Sequence, residues 1–280
     1  LEDRHDTENC DPCAAFQGAT RLSKIITRGK EKTTSYLSLP IGNTKKVKKW
    51  LKTIGSWGNH SIVVAHKETQ PFRRPIEFIG KPRKFQSEAA EVMYERERGL
   101  VQAPPRSGKT VLGSMLLCRI GKKALILAHQ RDWLLNFRET FVGSETQPRM
   151  TNARKSQVGF CSTVEDFEKT DICLATFAQF MNPKGRKTLA KIRHMFEVVI
   201  VDEAHRTPAK ESASVLVEFN SRYRLGLSAT PDRKDGRYIL AEQFLGPVLY
   251  EAKVERMRPR IQLLETGYSF KPAFNGQAAF

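Results

Sequence analysis

Apolar and polar positions follow two rhythms along this chain, and the change of rhythm divides it. Between residues 81 and 250, apolar runs of four or five residues recur at 100–103, 124–128, 158–161, 172–175, 198–201 and 223–227. Stretches with helical periodicity separate them, among them 109–120, 132–141 and 212–219. Runs without polar alternation predict strands buried on both faces. Such strands alternating with helices predict an α/β domain, a mostly parallel sheet covered by helices on both faces. Ligands of these sheets bind beyond the carboxyl ends of the strands. The residues that follow each apolar run are therefore where chemistry is expected.

Outside that stretch the pattern is irregular. Residues 1–80 predict a small α+β accessory region, with short strands at 62–64 and 78–79. Residues 81–255 are the α/β domain. Residues 256–280 hold one strand-like run, 261–264, and are too few for a domain. The chain opens on Leu1 rather than methionine and is read as a fragment or a processed product. It contains no apolar run long enough to span a bilayer and no secretory pattern. Cys118, Cys161 and Cys173 lie in or beside apolar stretches and read as reduced core thiols. That suits an intracellular protein, cytoplasmic or nucleoid-associated. Cys10 and Cys13 form one Cys-x-x-Cys, half of a zinc site. No second Cys/His pair follows at a fitting spacing, so bound Zn²⁺ is the lesser reading.

Charge narrows the partners. The chain has 47 Lys+Arg against 30 Asp+Glu, a formal charge of +17. Such a field attracts polyanions, of which nucleic acid is the commonest. Lys45, Lys46, Lys48, Lys49 and Lys52 surround Trp50, and two readings stand for them. One is a solvated helix face with Val47, Trp50 and Leu51 turned inward. The other is a backbone grip with a stacking aromatic.

Two motifs sit after apolar runs. Ala103-Pro104-Pro105-Arg106-Ser107-Gly108-Lys109-Thr110 follows one and precedes a helical stretch, the context of a phosphate-binding loop. Backbone N–H groups of such a loop wrap phosphates, and Gly108 permits close approach because it has no Cβ. Lys109 would reach the β- and γ-phosphates of ATP, and the Thr110 hydroxyl would hold Mg²⁺. Ala103 stands where the general pattern has glycine, and Pro105 and Arg106 make the loop stiffer and bulkier than usual. The second motif is Asp202-Glu203-Ala204-His205, directly after the run 198–201. Adjacent acids point differently. Asp202 is assigned to Mg²⁺ through water, and Glu203 to orienting and deprotonating the attacking water. A plain helix-capping acid pair is the competing explanation.

The order of phosphate loop, Asp-Glu-Ala-His and Leu227-Ser228-Ala229-Thr230-Pro231 resembles the first motor domain of superfamily 2 helicases. Gly226 to Pro231, with Arg233, Asp235 and Gly236 and then 245–250, is similar to the XPB-like branch; some phage helicases share the layout. The resemblance implies a RecA-like domain that binds ATP and Mg²⁺ and acts on nucleic acid, DNA ahead of RNA. Arg83-Lys84-Phe85-Gln86 resembles the adenine-reading motif, with the Gln86 amide on the adenine edge and Arg83 beside it. His129, Gln130 and Arg131 match one nucleic-acid motif and Thr176 a second. His205, Ser228 and Thr230 match the positions that couple the two sites. The resemblance also implies a second RecA-like domain supplying arginines, for which this chain has no Gln-x-x-Gly-Arg-x-x-Arg element. The chain by itself is therefore expected to bind nucleotide and nucleic acid weakly and to hydrolyse ATP poorly. Rival readings are a small-molecule P-loop ATPase or kinase, a non-enzymatic binding module with remnant motor motifs, and the motor of a restriction or repair complex.

Overall fold

The computed structural model describes residues 69–204, 210–229 and 238–252 and two short strands upstream. Those strands, β1 (Lys24–Thr27) and β2 (Ser35–Ser38), pair antiparallel with Lys24 opposite Ser38. Cys10 and Cys13, the lysines around Trp50, the run 62–64, His205, Thr230 and the tail from 253 lie outside the described residues.

Seven strands form one sheet: β3 (Arg98–Gln102), β4 (Ala124–Ala128), β5 (Val158–Phe160), β6 (Ile172–Thr176), β7 (Val198–Asp202), β8 (Tyr223–Ser228) and β9 (Val248–Glu251). All their pairings are parallel, in the order β5-β6-β4-β7-β8-β3-β9. The uninterrupted apolar runs have this cause. Side chains alternate between faces, and both faces are covered. Val101, Ile126, Ile200 and Leu225 pack under α1 (Lys84–Arg96), α2 (Lys109–Ile120) and α3 (Arg131–Val142). Leu100, Leu125, Val199 and Val201 pack under α4 (Val164–Lys169), α5 (Pro183–Ile192), α6 (Lys210–Leu216) and α7 (Tyr238–Leu245). On that second face Phe167, Phe180, Phe196 and Phe219 form a chain of ring contacts, mostly edge-on, with centroids 6.0–6.5 Å apart. Gly226 lets β8 pass beneath its neighbours: a Cβ there would lie 2.2 Å from Leu100 Cδ2 and 3.0 Å from Ala204 Cβ. This is the RecA-like α/β fold expected.

The strand expected at 78–79 does not form. Phe78 makes a single bridge to Thr151, and the segment 69–80 instead runs along the amino edge of the sheet. Thr69 Oγ1 donates to Glu197 (2.6 Å), Phe72 N to Gly121 O (2.9 Å) and Ile79 N to Met150 O (2.9 Å), while Gln70 O accepts from Lys123 N (3.1 Å). Its partners are short loops, 121–123 and 150–152 among them, and the pairings stay isolated bridges.

Candidate nucleotide site and nucleic-acid edge

The first motif sits at the carboxyl end of β3. Ala103 N donates to Ser228 O (2.9 Å), which ties the start of the loop to the end of β8. The chain then turns through Arg106 at φ 60° and Gly108 at φ 91° into α2, which begins at Lys109. Glycine is favoured here for its dihedral, and a Cβ, 2.4 Å from Gln86 Nε2, would push that amide aside. The first-turn N–H groups of α2 receive no side-chain cap. The Ser107 hydroxyl is buried and has no hydrogen-bond partner among the described residues. An uncapped helix start beside an orphaned buried hydroxyl and a glycine cradle fits a bound polyphosphate.

Arg83 and Gln86 lie where the adenine-reading motif was expected, at the start of α1, and they hold the loop from behind. The Gln86 amide donates to Ser107 O (3.2 Å) and Gly108 O (3.1 Å) and accepts from Arg83 N (2.8 Å). The Arg83 guanidinium adds a third bond to Ser107 O (3.1 Å).

The second motif arrives two strands away. β7 ends at Asp202, and Glu203 turns off at φ 49°, so the two carboxylates separate. Lys109 Nζ lies 3.0 Å from Glu203 Oε1, joining residues 94 apart in sequence. The lysine side chain is 11% exposed and the glutamate 22%. Thr110 and Asp202 are half-buried at the same mouth.

The other predicted residues line the rest of the carboxyl edge. The His129 ring lies 4.9 Å from that of Phe177, Gln130 is exposed, and the Arg131 guanidinium stacks 3.9 Å over Phe160. Thr176 ends β6. Its N–H donates to Gln179 Oε1 (2.8 Å), and Gln179 Nε2 donates to Cys161 O (2.7 Å), lacing the end of β6 to that of β5. Gln179 lies within the second nucleic-acid motif, 175–180, but its bonding role was not anticipated, although Thr-x-x-Gln is a capping-box spacing and was the available signal. Ser162 N and Thr163 N both donate to Asp166 Oδ2. Those bonds hold the Asp166 carboxyl down at about 2, so the end of β5 keeps its own negative charge.

Arg106 makes a prediction at this point. A non-glycine residue at positive φ is strained by about 1–2 kcal/mol. Arg106→Gly should raise the melting temperature by a few degrees, at about 2–4 °C per kcal/mol. If the exposed guanidinium also meets the phosphates, the same variant binds ATP more weakly, which calorimetric titration measures.

A family model described as "Type III restriction enzyme, res subunit" matches residues 79–233. The DNA 3'-5' translocase XPB2 of Sulfurisphaera tokodaii is 26% identical over 175 residues, covering 62% of this chain and 36% of that protein. The XPB subunit of general transcription and DNA repair factor IIH from Drosophila melanogaster is 25% identical over 206 residues, 69% of this chain and 25% of its own length. The chain thus spans about a quarter to a third of these relatives. The UvsW helicase of bacteriophage T4 superposes with a TM-score of 0.54 at 16% identity, over 76% of this chain and 79% of that one. It has the same fold.

Proposed function

The chain belongs to the family described as type III restriction enzyme, res subunit, and on that premise we propose that residues 81–255 are the ATP-binding half of a motor that translocates on or unwinds nucleic acid, DNA ahead of RNA. The observation that carries the reading is the Lys109–Glu203 contact at 3.0 Å. It brings the phosphate loop and the acidic motif to one point at the mouth of an uncapped helix.

The roles follow from that geometry. Lys109 exchanges the Glu203 carboxylate for β- and γ-phosphate oxygens, which leaves Glu203 to orient water and accept its proton. Thr110 and Asp202 would hold Mg²⁺, which offsets the charge of the phosphate oxygens when bound. Ser228 ties the end of β8 to the phosphate loop through its carbonyl. The edge from His129 to Thr176 lies on the same side of the sheet, one strand beyond β7 and more. A strand end that shifts with the phosphates can therefore change the grip there. The relatives' DNA translocase and helicase descriptions support DNA as the track. Arginines from a second domain would complete the cleft. The same chemistry serves a motor subunit of a restriction or repair complex, which the family description favours as the second reading.

The test is ATP hydrolysis by the protein together with its second domain, alone and with duplex DNA, single-stranded DNA or RNA. Stimulation by DNA, cut roughly 10²- to 10⁴-fold in Glu203→Gln, is expected. Hydrolysis indifferent to every nucleic acid would replace the motor with a small-molecule ATPase.

A further inference from the structure

Helix α5, with the sequence PKGRKTLAKI, opposes the electrostatics of its own backbone at its amino end. The amino end of a helix is its positive end, where acids stabilise and cations destabilise. α5 has no acid in its first turn, where Lys184 lies; Lys187 follows in the second turn and Lys191 in the last, which is the favourable end for a cation. Spacings of three and four put these lysines on one stripe. The opposite side buries Gly185, Leu189 and Ile192. All three lysines are exposed. Among the described residues none of them enters an ion pair. Their basic neighbours are engaged: Arg186 donates to Ser214 O (3.1 Å) and Arg193 pairs with Glu218 (3.0 Å).

The helix is also seated firmly. A Cβ on Gly185 would lie 1.8 Å from Gln179 O and 2.9 Å from Phe180 Cα, so the amino end of α5 rests directly on the turn that follows Thr176. Gln179 is the residue that laces Thr176 to the end of β5. Lys184 therefore keeps a fixed place beside the carboxyl edge. From Lys184 to Lys191 the helix rises about 10 Å, the axial rise of about three phosphates on one strand of a duplex.

We propose that the Lys184–Lys187–Lys191 stripe binds the phosphodiester backbone of duplex DNA, extending the track beyond Thr176. The proposal rests on the motor reading. It gives Lys184, a cation at the positive end of its helix, a partner that the described residues do not supply, and it lets Lys187 and Lys191 continue the same contact.

The experiment compares K184Q/K187Q/K191Q with the parent and with R149Q/R154Q/K155Q, which removes three charges from the opposite, amino edge. Duplex DNA binding is followed by fluorescence anisotropy across a salt series. The stripe variant should show a log K against log [salt] slope shallower by about 2–3, and affinity at low salt reduced roughly 10- to 100-fold. Its melting temperature should stay close to the parent's, because the repulsion lost with Lys184 offsets the favourable last-turn charge lost with Lys191. A slope matching the parent's overturns the proposal, and so does an equal change in both variants, which would show only a diffuse field. Loss of an acidic protein partner with the DNA slope intact would make the stripe a protein-docking face and overturn it too. A parent that binds no duplex sinks the motor reading and the stripe together, whereas a changed control with DNA-stimulated hydrolysis intact sinks the stripe alone.

Discussion

Lys109→Met should lower nucleotide hydrolysis roughly 10²- to 10³-fold, the usual consequence of removing one preorganised donor from a charge that develops in the transition state. Its effect on stability is equally informative. Lys109 and Glu203 are 11% and 22% exposed and 3.0 Å apart. Each single substitution leaves the other charge partly desolvated without this partner, at about 1–2 kcal/mol. The Lys109→Met/Glu203→Gln pair should then be no less stable than either single variant, a coupling of at least about 1–2 kcal/mol. Denaturant melts of the four proteins measure it. A second consequence runs against intuition. In the nucleotide-free protein Glu203 competes with phosphate for the lysine ammonium, so Glu203→Gln should bind ATP more tightly than the parent although it hydrolyses poorly. Weaker binding in that variant, with additive stabilities, would mean that the contact does not link the two motifs and would remove the main support for the motor reading.

Much of this site was legible because its chemistry lies in side chains at strand ends. The six apolar runs became strands β3 to β8, and the residues after them, Ala103 to Thr110, His129 to Arg131, Thr176, Asp202 and Ser228, all fall on one edge. What was not legible divides by cause. Helix α1 was missed because KFQSEAAEVMYER is polar through most of its length and buries only Gln86, Ala89, Ala90 and Met93. The grip of Gln86 on the phosphate loop was missed because its acceptors are the carbonyls of Ser107 and Gly108, and backbone carbonyls leave no mark in a sequence. The Lys109–Glu203 contact depends on sheet order: β3 and β7 are separated by β8 alone, which comes after both in the chain. The short edge strand β9 is half exposed, so it shows no continuous apolar run.

Arg224→Met should destabilise the fold by about 3–5 kcal/mol, the range for stranding groups that a buried charge had satisfied. Arg224 sits in β8, 4% exposed, and its guanidinium donates to the carbonyls of Leu216 (3.4 Å), Phe244 (3.2 Å) and Phe219. No carboxylate is among these acceptors. Burial, and after it the charge of Arg98, pulls the guanidinium pKa down to about 9, so it stays charged at neutral pH. The acceptors explain why a lone cation is tolerated here. Phe244 is the penultimate residue of α7, so its carbonyl is one that a helix terminus leaves without a partner inside the helix, at the negative end of its dipole; Leu216, which ends α6, shares its carbonyl between Arg224 and Phe219 N (3.3 Å). Methionine fills the volume but strands the Phe219 and Phe244 carbonyls, each at about 1–3 kcal/mol, while Leu216 O keeps its bond from Phe219 N. Lysine keeps the charge on a compact ammonium that cannot span three acceptors, and should fall between methionine and the parent. At about 2–4 °C per kcal/mol the methionine variant should melt some 6–20 °C lower. Well below that temperature its ATP affinity should match the parent's, because Lys109, Gly108 and Gln86 contact none of these groups. A methionine variant within 1 kcal/mol of the parent would show that water reaches these helix ends and that the arginine is dispensable. Lost ATP affinity in a still-folded variant would show instead that α6, which follows the acidic motif in sequence, transmits its anchoring to Asp202 and Glu203.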